Sequence, residues 1–181
     1  MKKRVLMMII PERQTQADVS GSRSEIVASY YLLQDSGFEV VLAAPAEETP
    51  WTWRDSNWRD SNGQDALSPS HHRLREDQVA QDAFADMLAL QQVRIDDFAA
   101  AICIGTSIAP SMAGEPHDAS TLANAMLAAG KPVALIASTD VLDPIPAGNG
   151  LLIAGSSKDA HLRATRCLIR LMEPRDQHHG A

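Results

Sequence analysis

The apolar positions of this chain gather in short unbroken runs rather than alternating with polar ones. Five such runs recur, at Val5–Ile10, Val40–Ala44, Ala99–Ile104, Val133–Ala137 and Leu151–Ala154, each bounded by Gly, Pro or charge. Continuous runs of this length suit strands buried on both faces, the situation inside a parallel sheet.

Helical periodicity fills most of the gaps. Residues 25–36 place Ile26, Tyr30 and Leu33 on one face, with Ser22 or Ser24 as the expected N-cap and Gly37 as the stop. Residues 78–91 align Val79, Ala83, Met87 and Leu90. Residues 119–129 follow a cap at Asp118 or Ser120 and end at Gly130. Residues 159–172 follow Ser156-Ser157 and turn Leu162, Ile169 and Met172 inward. Strands alternating with helices predict an α/β fold, a three-layer sandwich whose mostly parallel sheet carries helices on both faces.

Two segments break the rhythm. Residues 45–76 form a long polar insertion containing the tandem repeat "WRDSNWRDSN". Residues 138–150, "STDVLDPIPAGNG", join two strands by thirteen residues, too few for a crossover helix. The two strands are therefore expected either to pair antiparallel or to lie apart in the sheet.

Length then bounds the organisation. The 181 residues suffice for one well-buried domain, read as 1–173, with 174–181 as a flexible tail in which His178 and His179 are solvated. A net charge of −7 argues against nucleic-acid and anionic-membrane partners, which require a basic patch. The N-terminal apolar stretch is short and breaks at Pro11, so it reads as a first strand rather than a signal peptide. With no transmembrane segment expected either, the expected location is cytoplasmic. Cys103 and Cys167 lie inside apolar runs without metal-type spacing and read as buried reduced thiols.

Four collinear stretches resemble the ThiJ/PfpI family of the class I glutamine amidotransferase-like superfamily. "SEIVASYYLLQDSGFEVVLAAP" (24–45) resembles its first helix and second strand, and "DFAAAICIGTSIAPSMAGEP" (97–116) the strand entering its Gly-Gly-His-Gly loop. "AGKPVALIAS" (129–138) resembles the strand that delivers the family's cysteine, and "NGLLIAGSSKDAHLRATRCLIRLM" (149–172) its closing strand and last helix. The resemblance implies a class I glutamine amidotransferase-like, flavodoxin-like fold and a homodimer. Tyr30, Tyr31 and the tryptophans would supply apolar area for that dimer.

Carried over residue by residue, the resemblance puts Glu25, twelve residues before Gly37, at the family's acidic position beside the nucleophile. Gly105 falls on the first glycine of the loop whose amides face a developing oxyanion, Thr106 replaces the second glycine and Ser107 the histidine. The cysteine position holds Ala137, followed by Ser138 and Thr139. A thiolate mechanism needs sulfur at that strand end, so the family's covalent chemistry is absent. Ser138 sits one residue past the elbow with no histidine placed to activate it, so capping or ligand hydrogen bonding is the expected role of Ser138 and Thr139.

Glu25 is then the candidate catalytic residue. In the family's partly closed pocket, desolvation would raise its pKa and make it a general acid or base. The competing reading is an exposed Glu in the first turn of a helix, favoured there by the dipole. Further candidates for substrate binding lie in the insertion, where Trp51, Trp53 and Trp58 interleave with Arg54 and Arg59, a combination suited to stacking on an aromatic or anionic small molecule. A subunit interface or a disordered loop is the alternative for that segment. His71, His72 and Arg73 close the insertion, and His72 is read as a pocket candidate. His117 reads as a surface residue near a cap.

Two functions follow. One is an enzyme that keeps the family pocket and works by non-covalent acid–base catalysis, of hydratase, lyase, isomerase or cyclase type, on a small carbonyl-containing or unsaturated metabolite. The other is a catalytically inactive ligand-binding or regulatory relative. Neither a cofactor nor a metal is implied.

Overall fold

In the computed structural model, residues 2–10, 19–46, 68–104, 119–136, 142–155 and 160–173 are described. They contain seven strands, β1 (Arg4–Ile9), β2 (Glu39–Ala44), β3 (Leu88–Ala89), β4 (Ala100–Ile104), β5 (Val133–Ile136), β6 (Leu142–Ala147) and β7 (Gly150–Gly155). The helices are α1 (Val19–Asp35), α2 (Pro69–Glu76), α3 (Gln78–Ala85), α4 (Ala119–Ala128) and α5 (Ala160–Met172). One sheet runs β3-β2-β1-β4-β5-β7-β6, parallel throughout except for β6, which pairs antiparallel with β7.

The unbroken apolar runs are explained by what lies above and below them. Val5, Met7 and Ile9 of β1 point into one core layer with Tyr30, Leu33, Phe84 and Leu168, so α1, α3 and α5 cover that face. Leu6 and Met8 point into the other with Leu90, Phe98, Leu122 and Met126, so α4 and the 3₁₀ turns at Leu90–Gln92 and Ile95–Asp97 cover the opposite face. Ile102 and Cys103 of β4 divide in the same way. This is the three-layer α/β sandwich expected from the sequence.

Several local expectations change. The chain between β5 and β7 neither makes them antiparallel nor separates them: they are parallel neighbours, and β6 is the edge strand outside β7. Gly148-Asn149 turns β6 into β7 as a two-residue hairpin, Gly148 taking φ +58°, which is open to glycine at little cost. Prolines 144 and 146 are tolerated in β6 because an edge strand need not donate outward.

The 45–76 insertion ends in structure: α2 buries His71 and Leu74. The single helix read over 78–91 is shorter, because α3 stops at Ala85 and Leu88–Ala89 joins the sheet beside Ala43 and Ala44. Its inward face is Ala80 and Phe84, whereas Val79 is 75% exposed. Helix α1 begins at Val19, so Ser22 and Ser24 lie inside it rather than at its cap. Gly37 ends it with φ +85°, as expected.

Tyr30 and Tyr31 are buried within the chain itself, at 1% and 4% exposure. They therefore contribute no apolar area to a dimer interface. The tryptophans of the insertion lie outside the described residues. Among the described residues, no helix is long and apolar enough to cross a membrane.

Candidate functional site

Strand order places the site. The chain leaves β1 for β2 on one side and later returns to β4 on the other, so the order reverses between β1 and β4. In open parallel sheets, ligands bind beyond the carboxyl ends of the strands at such a reversal. Here Ile9, Ile104, Ile136 and Gly155 are register partners across β1, β4, β5 and β7, so the four ends form one row.

Helix α1 follows β1 and α5 follows β7, and both cover the same face of the sheet. Their early turns therefore lie toward that row of strand ends. Glu25 occupies the second turn of α1, and His161 is the second residue of α5. The Nδ1 of His161 stands 4.0 Å from Oε1 of Glu25, the two side chains being 9% and 29% exposed. Burial pushes the Glu25 carboxyl above its ordinary value. Taking a carboxylate out of water disfavours its charged form, and a proton held toward neutrality is what a general acid–base group requires. At the seventh residue of α1, Glu25 is past the first turn, so the helix dipole does not account for its position.

Ser29 lies one turn farther along the same face of α1. It is fully buried, and among the described residues its Oγ has no hydrogen-bond partner. On α5, Thr165 Oγ1 donates to the His161 carbonyl at 2.6 Å, tying down the turn that carries the imidazole.

His161 was missed in the sequence although its spacing carries a signal. Seven and eleven positions before Leu168 and Met172, it shares their inward-facing side of the helix. Leu162, expected inward, is only partly buried.

The other candidates are placed as follows. His72 is exposed on α2, while its neighbour His71 is buried with Nδ1 2.9 Å from Ser68 Oγ. Arg73 fastens α2 to Asp35 at the far end of α1, some ten residues, or about 15 Å of helix axis, beyond Glu25. The structure thus does not bring His72 to Glu25. Gly105, Thr106, Ser107, Ala137, Ser138, Thr139, Trp53, Arg54, Trp58 and Arg59 lie outside the described residues, as does His117. The described strands β4 and β5 end at Ile104 and Ile136, the residues preceding Gly105 and Ala137.

Cys103 is fully buried in β4, facing the α4 layer, and burial pushes its thiol up to about 12. A thiol in that state is neither nucleophile nor ligand at neutral pH. Cys167 is partly buried on α5.

No protein-family model matches the sequence, and no curated protein matches it. Solved structures do match. The chain is similar to glyoxalase III from Candida albicans, with a TM-score of 0.64 and 11% identity over 94% of this chain and 98% of that one. It is also similar to the Rapid Encystment Protein 24 kDa of Francisella tularensis, with a TM-score of 0.58 and 10% identity over 93% and 98%. At such identities the likeness is one of fold. The chain has the ThiJ/PfpI-type fold that its four sequence stretches resemble.

Proposed function

We propose that this chain is a ThiJ/PfpI-like enzyme that dispenses with a cysteine nucleophile and works by acid–base catalysis through Glu25. The single observation that carries this reading is the Glu25 carboxyl itself. It is partly buried on the helix that follows β1, and desolvation raises its pKa above the ordinary carboxylate value.

A carboxylate so held takes a proton from carbon next to a carbonyl and returns it to another atom of the same substrate. The enolate oxygen that forms between the two steps needs donors, and the amides of Gly105 and Thr106 fill that role by resemblance. Cys103, fully buried with its thiol pushed up to about 12, is unsuited to take over covalent work. Isomerase, hydratase, lyase and cyclase reactions on small carbonyl-containing or unsaturated metabolites share this proton transfer.

The test is a panel of 2-oxo acids, 2-oxoaldehydes and enones incubated with wild type and Glu25→Gln, followed by mass spectrometry and by deuterium exchange from solvent. Turnover or exchange that wild type catalyses and Glu25→Gln loses by roughly 10²–10⁴-fold supports the reading. Retention of a compound unchanged by both proteins, with only its affinity altered, makes the chain a ligand-binding relative instead.

A further inference from the structure

We infer that His161 is the positioning residue that sets the protonation of Glu25, the two side chains titrating as one coupled pair. The inference rests on the reading of Glu25 as the acid–base group and adds the residue that governs it.

The geometry is specific to these two helices. Glu25 and His161 come from α1 and α5, which pack against one another over the same face of the sheet. Their facing atoms stand 4.0 Å apart, beyond a direct hydrogen bond but within the range at which one charge shifts the other's proton affinity strongly. The imidazole is nearly enclosed, so water screens the interaction poorly. The strands beneath α5 present apolar side chains to that layer: Ile102 and Ile104 of β4, Ala134 and Ile136 of β5, and Ile153 of β7. Arg163 and Arg166, on α5 itself, are exposed. Glu25 lies within ion-pair distance of His161.

Such a pair has two arrangements carrying the same number of protons: a neutral carboxylic acid beside a neutral imidazole, and a carboxylate beside an imidazolium. Burial favours the first and mutual attraction the second. A proton that Glu25 gains from substrate can be matched by one passing from the imidazolium to water, which leaves acid and imidazole both neutral. When Glu25 returns its proton to the substrate, the imidazole takes one back from water and the charged pair forms again, so no lone charge is stranded in a partly closed site.

The signs are definite. Removing the Glu25 charge takes an anion away from the imidazole, so Glu25→Gln lowers the His161 pKa. Removing the imidazole takes a cation away from the carboxylate, so His161→Gln raises the Glu25 pKa further. Neutralising a partner at this distance moves a pKa by about one unit or more, a tenfold or greater change in proton affinity.

The experiment is an NMR titration of the ligand-free chain, following the His161 ring nitrogens in wild type and Glu25→Gln, and the Glu25 side-chain carboxyl carbon in wild type and His161→Gln. Opposite shifts of the predicted signs support the pair. A His161 titration that is the same in wild type and Glu25→Gln overturns it. That comparison keeps the imidazole in both proteins, so it stands even if His161→Gln fails to fold. No turnover is needed, which separates the two ideas. Glu25-dependent turnover without coupling sinks the pair and leaves the proposed function, whereas coupling without turnover of any compound sinks the function alone.

Discussion

The guanidinium carbon of Arg73 stands 4.0 Å from the centroid of the Tyr31 ring. The same guanidinium donates to both carboxylate oxygens of Asp35, at 2.7 and 2.8 Å. Tyr31 in turn donates its hydroxyl to Asp77, whose other oxygen caps α3 at Ala80. A residue from the end of the polar insertion thus closes over the first helix and covers an aromatic ring.

Arg73→Ala is expected to destabilise the fold by about 1 kcal/mol, because a solvent-exposed cation over an aromatic ring and a solvent-exposed ion pair contribute a few tenths to 1 kcal/mol each. Arg73→Lys should recover part of the loss by keeping the charge but not the two-pronged geometry. Urea unfolding reads both. A Lys variant as unstable as the Ala variant would mean that the charge contributes nothing here.

Glu25→Gln should leave the chain at least as stable as wild type at neutral pH. Burial raises the folded-state pKa of Glu25 above its ordinary 4.5. Stability from the neutral carboxyl is therefore complete below that value and is lost as pH rises through the folded-state pKa. The variant cannot ionise and escapes this loss. Thermal unfolding at pH 4.5 and 7.5 should show the difference in Tm, variant minus wild type, growing with pH. A difference that shrinks as pH rises would contradict the burial-driven shift.

Native protein treated with iodoacetamide at pH 7.5 should be modified at Cys167 well before Cys103, since the Cys103 thiol is fully enclosed and its ionisation is suppressed to about 12. Peptide mass spectrometry with and without denaturant locates the label. Turnover should survive the treatment. Inactivation that tracks with Cys103 alkylation would restore a thiol to the mechanism.

Two glycines should respond differently to alanine. Gly150→Ala would place a Cβ 2.5 Å from the Lys131 carbonyl oxygen and 2.9 Å from that of Leu127, both backbone atoms that cannot turn aside. Strand and helix must part, and a loss of several kcal/mol or failure to fold is expected, more than ordinary overpacking. Gly37→Ala meets nothing within 4 Å and bears only the left-handed conformation at φ +85°, a cost of about 1–2 kcal/mol. Equal losses in the two variants would show that contact with the Lys131 and Leu127 backbone is not the deciding factor.

By itself the sequence determined which segments form the layers. An unbroken run such as Val5–Ile10 can be satisfied only where both faces of a strand are covered, and β1 is covered on both. Glycines 37 and 130 stop their helices because positive φ costs them little, a local rule that needs no partner. The sequence also singled out Glu25 as a candidate, through the resemblance of the stretch around it and its spacing to Gly37 within that stretch.

The tertiary structure decided what those segments meet. Apolar spacing records that Tyr30 and Tyr31 are buried but not by what, and the cover proves to be α2 and α3 rather than a second copy of the chain. Helix α2 itself was hidden because its residues are mostly charged or polar and only His71 and Leu74 turn inward. Strand β6 was hidden because its prolines argue against a central strand, and only its place at the edge permits them. His161 lies 136 positions from Glu25 in the chain. Periodicity fixes which face of α5 carries the imidazole. Which helix that face meets depends on strand order, set by the packing of the whole sheet and by no segment alone.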